Sequence, residues 1–196
     1  MIVISGPSTV GKSRVIKCLK DKYDMEQVVS YTSRRKREDE TEGVSYHFVD
    51  EGYFTKNKKD FLLWKKGDLG YYGTMGTDIE KIVQKGRVPV LDLDVDEALI
   101  VKSKFDDAVL VFLLPKTLEE IKERLLTRGP ERGIYSEEDA MLRYYRSAEM
   151  LKCCKAYDYL IQNDDEYATA DYIKSILVVR EINSKKKYYV AKWCDT

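Results

Sequence analysis

A run of eight residues near the start of the chain has the residue types and spacing that suit phosphate binding. It reads Gly6-Pro7-Ser8-Thr9-Val10-Gly11-Lys12-Ser13 and matches the pattern G-x-x-x-x-G-K-[ST]. Gly6 and Gly11 permit close approaches that a Cβ would prevent, so the backbone N–H groups can turn inward toward an anion. Lys12 can reach the β- and γ-phosphates of a nucleotide, and Ser13 can hold Mg²⁺.

A phosphate loop of this kind must follow a strand and open a helix. Both neighbours are present in the sequence, because residues 2–5 are an apolar run and residues 13–22 have a helical pattern. The positive end of that helix would add to the field that attracts phosphate.

The rest of the chain alternates apolar runs with helical patterns, which predicts an α/β fold with a largely parallel sheet. We expect further strands at residues 89–94, 108–114 and 157–161. We expect helices at about 78–85, 118–127, 137–154 and 168–177. Residues 31–74 interrupt this rhythm and predict a compact insertion with short strands, and residues 129–136 predict a mobile flap.

Polar residues follow several of these strands. Ligands of open α/β sheets bind at the carboxyl ends of the strands, so Asp92, Asp94 and Asn163 should converge with the loop on a cleft. Asp92 and Asp94 would share one face if both lay in a strand. Either carboxylate could orient a Mg²⁺-bound water, hold a positive partner or accept from a base or sugar.

Two groups of arginines could bind further phosphates. Arg34 and Arg37 can each hold a phosphate bidentately, and Tyr46, Tyr72 and Thr74 of the same insertion add hydroxyl groups. A second group brackets the flap: Arg124, Arg128, Arg132, Arg143 and Arg146. Phosphoryl transfer needs positive charge around the migrating group, although some of these arginines would be ordinary surface residues.

Composition narrows the classes of partner. Lys and Arg total 34, as do Asp and Glu, so the net charge of zero supports no broad nucleic-acid surface and no attraction to an anionic membrane. We expect no leader sequence, no transmembrane segment, and four reduced cysteines in a cytoplasmic protein that is a monomer or a homodimer. The single histidine, His47, excludes a site in this chain that needs several histidines.

Several segments resemble the guanylate kinases, a branch of the nucleoside monophosphate kinases. Residues 30–37 (SYTSRRKR) are similar to the family's S-x-T-T-R-x-x-R, and residues 42–49 (EGVSYHFV) to its D-G-x-D-Y-x-F-V. Residues 72–74 (YGT) resemble Y-G-T/S, residues 91–94 (LDLD) resemble L-D-I-D, and residues 163–165 (NDD) resemble N-D-D. Arg128-Gly129 followed by residues 136–138 is similar to the lid. These motifs occur in one order from residue 2 to about 177.

The resemblance implies a P-loop kinase fold: a three-layer core with a parallel sheet, a small mixed-β insertion that binds the monophosphate, and a helical lid. It implies a single domain over residues 1–196, with the core at 1–30, 75–125 and 147–182. The monophosphate-binding subdomain would cover 31–74 and the lid 126–146, and residues 183–196 are unassigned. The tail could be an extra strand, a packed appendage or a frayed end.

The activity implied is transfer of the γ-phosphoryl group of ATP, with Mg²⁺, to a nucleoside monophosphate. The residue roles that it implies fall into four sets. Those around the transferred group would be Lys12, Arg34, Arg124, Arg128 and Arg143. Those that bind ATP would be Gly6, Pro7, Ser8, Thr9, Val10, Gly11, Lys12, Ser13, Arg128 and Asn163. The monophosphate would lie against Ser30, Arg34, Arg37, Tyr46, Leu63, Tyr72, Thr74 and Asp94, and Mg²⁺ near Ser13 and Asp92.

The chain departs from the family at residue 63. The family has a glutamate in F-[IL]-E-W that accepts from guanine N1–H and the exocyclic amine, whereas here Leu63 stands in FLLW. Where water does not replace the carboxylate, two unpaired buried donors would weaken guanine binding by roughly 2–5 kcal/mol. The acceptor would therefore be GMP or dGMP read by Ser30, Thr74 and Asp94, with Glu40 or Asp68 moved in, or another purine monophosphate. The lid segment around Arg132 is also longer than usual.

Two other classes of protein remain open from the sequence. Guanylate-kinase-like domains also serve as protein-binding modules, typically with a decayed phosphate loop, whereas here the loop is intact. A kinase for a different phosphorylated small molecule would share the loop, but it should lack the set from Ser30 to Arg37 with Tyr46 and Tyr72.

Overall fold

The computed structural model describes residues 1–67, 69–127 and 136–194, and the side chains of these residues up to 181. Its main sheet has five parallel strands in the order β2-β7-β1-β8-β9. The strands are β1 Ile2–Ser5, β2 Met25–Gln27, β7 Val88–Asp92, β8 Val109–Leu114 and β9 Tyr159–Gln162. Strands β1 and β8 are apolar along almost their whole length because they lie inside the sheet with both faces covered.

The two faces of the main sheet are covered by different helices. On one face, Ile2 and Ile4 pack with α1 (Lys12–Lys22) and the first part of α7 (Glu166–Cys194). On the other face, Val3 packs with α3 (Gly76–Gln84) and α4 (Val95–Lys104). The alternation of side chains along β1 thus builds a helix–sheet–helix core, which confirms the predicted three-layer α/β fold.

A second sheet is formed by the insertion between β2 and α3. Its order is β4-β3-β6-β5, from strands β3 Tyr31–Thr32, β4 His47–Phe48, β5 Phe61–Gly67 and β6 Gly70–Met75. β3 pairs parallel to β4 but antiparallel to β6, so this sheet is mixed. A short helix, α2 (Glu51–Lys56), starts at Asp50, whose Oδ1 accepts from the Tyr53 N–H at 2.7 Å.

Helices α5 (Leu118–Thr127) and α6 (Glu137–Lys152) flank the predicted flap, which lies outside the described residues. The Ser136 hydroxyl caps α6 by accepting from the Asp139 N–H at 3.1 Å, and three acidic residues follow in its first turn. A short 3-10 helix at Cys154–Ala156 leads into β9. Among the described residues, the helices are too short or too polar to cross a membrane.

The structure differs from the sequence-based expectation in four elements. The short edge strand β2 and helix α4 were not predicted, and α7 is 29 residues long rather than ending near residue 177. The backbone of residues 183–194 continues this helix and does not form an extra strand. Strand β7 ends at Asp92, so Asp92 and Asp94 do not share a strand face. Asp94 is instead the N-cap residue of α4.

Candidate active site

The phosphate loop lies between β1 and α1 at the carboxyl edge of the main sheet, as predicted. Gly6 has φ +152°, and a Cβ there would lie 2.6 Å from the Leu113 carbonyl oxygen. Gly11 has φ +102°, and its Cβ would lie 2.5 Å from Asn163 Nδ2. Gly6 is therefore required by the close backbone of β8 and by its positive φ, and Gly11 chiefly by its positive φ.

The ammonium group of Lys12 is held over the loop. Its Nζ donates to the Gly6 carbonyl at 3.0 Å and to the Pro7 carbonyl at 3.4 Å, and it lies 4.0 Å from Asp92 Oδ1. These contacts fold the Lys12 side chain back across the phosphate loop. A positive charge fixed there favours anionic phosphates, as the motif predicts.

Thr9 has a strained position in the loop. Its φ is +65°, the only positive φ of a described non-glycine residue, and β-branched side chains rarely adopt it. The Thr9 hydroxyl is buried and has no hydrogen-bond partner among the described residues. The Thr9 carbonyl accepts from Arg124 Nη1 at 3.1 Å, which connects α5 to the loop.

Asn163 supports the loop from behind. Its Nδ2 donates to the Val10 carbonyl at 2.7 Å, and its Oδ1 accepts from the Thr169 hydroxyl at 2.8 Å. The side chain thus links β9 and α7 to the loop backbone. A direct contact between Asn163 and ATP stays a prediction.

Two oxygen groups at the cleft suit a magnesium ion. Ser13 is exposed at the start of α1, and Asp92 ends β7 beside Lys12. Desolvation by burial raises the pKa of the Asp92 carboxyl group, while the positive charge of Lys12 opposes that rise. Mg²⁺ in nucleotide sites uses one or two protein oxygens together with phosphates and water, so this pair of donors fits the ion. Among the described residues, no cluster of three or more His, Cys, Asp or Glu could hold a metal without phosphates.

The register of the second sheet puts several predicted residues on one face. Leu63 lies opposite Thr74, and Lys65 lies opposite Tyr72, in the antiparallel pair β5–β6. Directly opposed residues point to the same side of a sheet, and residues two apart along a strand do so as well. We call this side, with Leu63, Lys65, Tyr72 and Thr74, the acceptor face.

An aromatic and cationic cluster occupies one end of the acceptor face. The Tyr46 and Tyr72 rings have centroids 6.1 Å apart, and the Arg34 guanidinium lies 5.3 Å from the Tyr46 ring centre. Burial raises the pKa of Tyr46 to about 12, so its phenol keeps its proton at neutral pH and can donate to an anion.

Arg34 is buried and already paired. Its Nη1 and Nη2 donate to the two carboxylate oxygens of Glu40 at 2.9 and 2.6 Å, and Glu40 also accepts from the Arg37 N–H at 2.8 Å. Nη1 also donates to the Arg35 carbonyl at 2.9 Å. The Nη1–Nη2 edge of the guanidinium therefore faces Glu40, which leaves the Nε side for the phosphate that we expected Arg34 to hold.

Arg143 of α6 approaches the same cluster. Burial lowers its pKa, as do the charges of Arg37, Arg146 and Arg34, while the charge of Asp139 opposes this shift. Like charges gather in this way where an anion is to be bound. Arg128 and Arg132, which we predicted with Arg143 in the group of arginines around the flap, lie outside the described residues.

The other end of the acceptor face carries two hydroxyl groups and an apolar side chain. Ser30 Oγ and Thr74 Oγ1 are 3.0 Å apart. Leu63 is 6% exposed and belongs to a buried cluster that includes Leu93 and Val95, the neighbours of Asp94. The end of the acceptor face that carries Leu63 therefore lies against the turn between β7 and α4.

The comparisons with known proteins agree with this geometry. A sequence model of the guanylate kinase family matches residues 1–179. The chain belongs to the guanylate kinase family. By family it is a nucleoside monophosphate kinase, a phosphotransferase, as the motifs indicated.

Relatives and a solved structure of the family cover most of the chain. The guanylate kinase of Clostridium perfringens is 35% identical over 92% of this chain and 83% of its own length. That of Caldanaerobacter subterraneus is 34% identical over 97% and 93%. The crystal structure of guanylate kinase from Anaplasma phagocytophilum superposes with a TM-score of 0.71 at 28% identity, over 92% of this chain and 85% of that one.

Two residues of this guanylate kinase family member were missed from the sequence. Lys65 Nζ donates to Asp94 Oδ2 at 2.7 Å and lies 3.2 Å from Glu97 Oε2. Glu97 in turn accepts from the Asp94 N–H at 3.3 Å, so it caps α4. The spacing of Asp94 and Glu97 is a capping-box signal, but nothing in the sequence links Lys65 to them.

Proposed function

We propose that the protein transfers the γ-phosphoryl group of ATP, with Mg²⁺, to a purine nucleoside monophosphate. GMP or dGMP is the acceptor expected from the family, and the replacement of the base-reading glutamate by Leu63 broadens the choice to other purines. The observation that supports this most is the pairing of an intact phosphate loop with a separate acceptor face that carries Arg34, Tyr46 and Tyr72.

The donor end would bind ATP on backbone N–H groups of the loop at residues 6–13, to which Pro7 contributes none, with Lys12 at the β- and γ-phosphates. Ser13 and Asp92 would hold Mg²⁺, which neutralises charge on the phosphates. Arg124, which contacts the loop at Thr9, would place a further positive charge beside the phosphates.

The acceptor end would hold the phosphate of the monophosphate with Arg34, Arg37, Tyr46 and Tyr72. This phosphate is already anionic at neutral pH, so the transfer needs no general base from the protein. Orientation and neutralisation of charge supply the catalysis. Residues 126–146 would close as a lid and exclude the water that otherwise hydrolyses ATP.

Leu63 would leave the guanine N1–H and 2-amino group without their usual acceptor. Its side chain is buried among apolar residues and offers no hydrogen bond. The base would then be read by the Ser30 and Thr74 hydroxyl groups, with Asp94 nearby.

The test is a transfer assay with ATP and Mg²⁺ against GMP, dGMP, AMP, dAMP, IMP, CMP and UMP. We expect ADP and a purine nucleoside diphosphate as products, and we expect Lys12→Ala to abolish turnover without a change in the thermal unfolding temperature. The exposed Lys20→Ala on the same helix is the matched control and should keep full activity. Absence of transfer to every monophosphate would instead favour the protein-binding module.

A further inference from the structure

Lys65 is on the acceptor face although no motif includes it. It lies opposite Tyr72 in the β5–β6 pair and two residues beyond Leu63, so its side chain leaves the strand on the side of the predicted monophosphate. The next residue, Lys66, alternates to the opposite side, where its Nζ lies 5.7 Å from the centre of the Tyr71 ring. The two lysines are thus a natural pair for comparison.

The Lys65 ammonium bridges the carboxylates of Asp94 and Glu97. These lie beside the end of the acceptor face that carries Ser30, Leu63 and Thr74, which we call the base end. The ammonium is 2.7 Å from Asp94 Oδ2 and 3.2 Å from Glu97 Oε2, and it connects the second sheet to the start of α4. Burial works to lower the pKa of Lys65, but the hydrogen bond and charge of Asp94 outweigh it and the pKa is raised. The ammonium therefore stays charged and engages an oxygen of each carboxylate.

This arrangement changes which hydrogen bonds the base end can offer. Guanine presents two donors, N1–H and the 2-amino group, and needs acceptors opposite them. Leu63 accepts nothing, and one oxygen of Asp94 and one of Glu97 are engaged by a cation that has donors only. Adenine presents an acceptor at N1 and an apolar C2–H, and hypoxanthine also lacks the 2-amino group.

We propose that Lys65 is a specificity-determining residue that biases the acceptor site toward purine monophosphates without a 2-amino group. The inference rests on the proposed function, and it names the substrate class of that same site. Lys65 acts by holding Asp94 and Glu97 and by adding donors of its own beside the apolar Leu63.

The experiment compares kcat/KM for GMP, IMP and AMP in the wild type, Lys65→Met and Lys66→Met. GMP and IMP differ only in the 2-amino group, so their ratio isolates the effect. Methionine keeps the length of the side chain without its charge, which releases both carboxylates as acceptors. We expect Lys65→Met to raise the GMP-to-IMP ratio about tenfold and to lower the rate with AMP. Lys66→Met should leave the ratio unchanged.

A GMP-to-IMP ratio that stays the same or falls in Lys65→Met overturns the inference while the proposed kinase function stands. A wild type that phosphorylates none of the three monophosphates overturns the proposed function itself. Lys65→Gln, with thermal unfolding of each variant, provides a second neutral side chain if the methionine variant does not fold. In that variant the GMP-to-IMP ratio must rise as well.

Discussion

At the scale of single residues, the site that we assign to the acceptor contains a buried ion pair between the motif residue Arg34 and Glu40, which no motif includes. The Arg34 and Glu40 side chains are 6% and 10% exposed, so the pair has little contact with water. Glu40 fixes one edge of the guanidinium and also binds the Arg37 backbone. It acts as a positioning residue for the arginine that we assign to the acceptor phosphate.

Replacement of Glu40 by Gln should therefore affect both stability and substrate binding. Arg34 would remain buried without its counter-charge, and we expect a loss of about 3 kcal/mol in the free energy of unfolding. The KM for the monophosphate should rise about tenfold, while the KM for ATP should change little. Denaturant unfolding and steady-state kinetics measure these, with Glu38→Gln, an exposed residue of the same segment, as the control.

The pH dependence of this effect has a definite sign. Burial opposes ionisation of Glu40, but the bonds from Arg34 and the Arg37 N–H outweigh it and hold its pKa below the ordinary 4.5. The stabilisation is complete above the pKa of the unfolded chain and is lost as the pH falls through the lower folded value. The stability difference between wild type and Glu40→Gln should shrink below about pH 4.3. A difference that grows on acidification would contradict the account.

Thr9 offers a stabilising change in the phosphate loop. Its positive φ and its unpartnered buried hydroxyl both cost free energy, and glycine removes both. Thr9→Gly should raise the free energy of unfolding by about 1 kcal/mol, measured by denaturant unfolding. Ser8→Gly is the control and should not stabilise, because Ser8 has no positive φ. A destabilised Thr9→Gly would mean that the threonine side chain packs better than its backbone angle suggests.

At the scale of elements, the ends of strands and helices hold the loop from several sides. Asn163 follows β9 and binds the Val10 carbonyl, and Arg124 of α5 binds the Thr9 carbonyl. Gly6 and Gly11 allow the close approaches of Leu113 and Asn163. The shape of the phosphate loop is therefore set by its neighbours as well as by its own glycines.

Removal of the Asn163 side chain should loosen the donor site alone. Asn163→Ala leaves the Val10 carbonyl without its donor, and we expect the KM for ATP to rise roughly tenfold with the monophosphate KM nearly unchanged. Gln162→Ala is the matched control. Gln162 is exposed, and the hydrogen bonds that the structure shows for its side chain go to Asp164. Equal effects on both substrates would argue against a local role for Asn163 in the loop.

The elements also show what a sequence can and cannot predict. The apolar runs of β1 and β8 were predicted because both faces of these strands are buried. The three-residue β2 was missed because an edge strand so short has no pattern of its own. Helix α4 was missed although Asp94 and Glu97 form a capping box. The contact of Lys65 with Asp94 joins residues 29 positions apart and depends on how the two sheets meet.

At the scale of the whole molecule, a parallel sheet that carries the phosphate loop is combined with a mixed sheet to which we assign the acceptor. The turn between β7 and α4 joins them, because Leu63 of the second sheet is buried with Leu93 and Val95. The residues that we assign to the phosphates come from motifs in the sequence. The base end does not, since Leu63 shows only that an acceptor is lost, and Lys65 and Glu97 enter through the tertiary structure.

The most direct measurement of the central claim is the ratio of kcat/KM for GMP to that for AMP and IMP in the wild-type enzyme, with ATP and Mg²⁺. Loss of the acceptor for two guanine donors predicts a GMP preference of no more than about tenfold over the other purines. Leu63→Glu should raise that preference, and Leu63→Gln provides a neutral acceptor if the buried charge impairs folding. A wild type that prefers GMP by a thousandfold or so would contradict the claim.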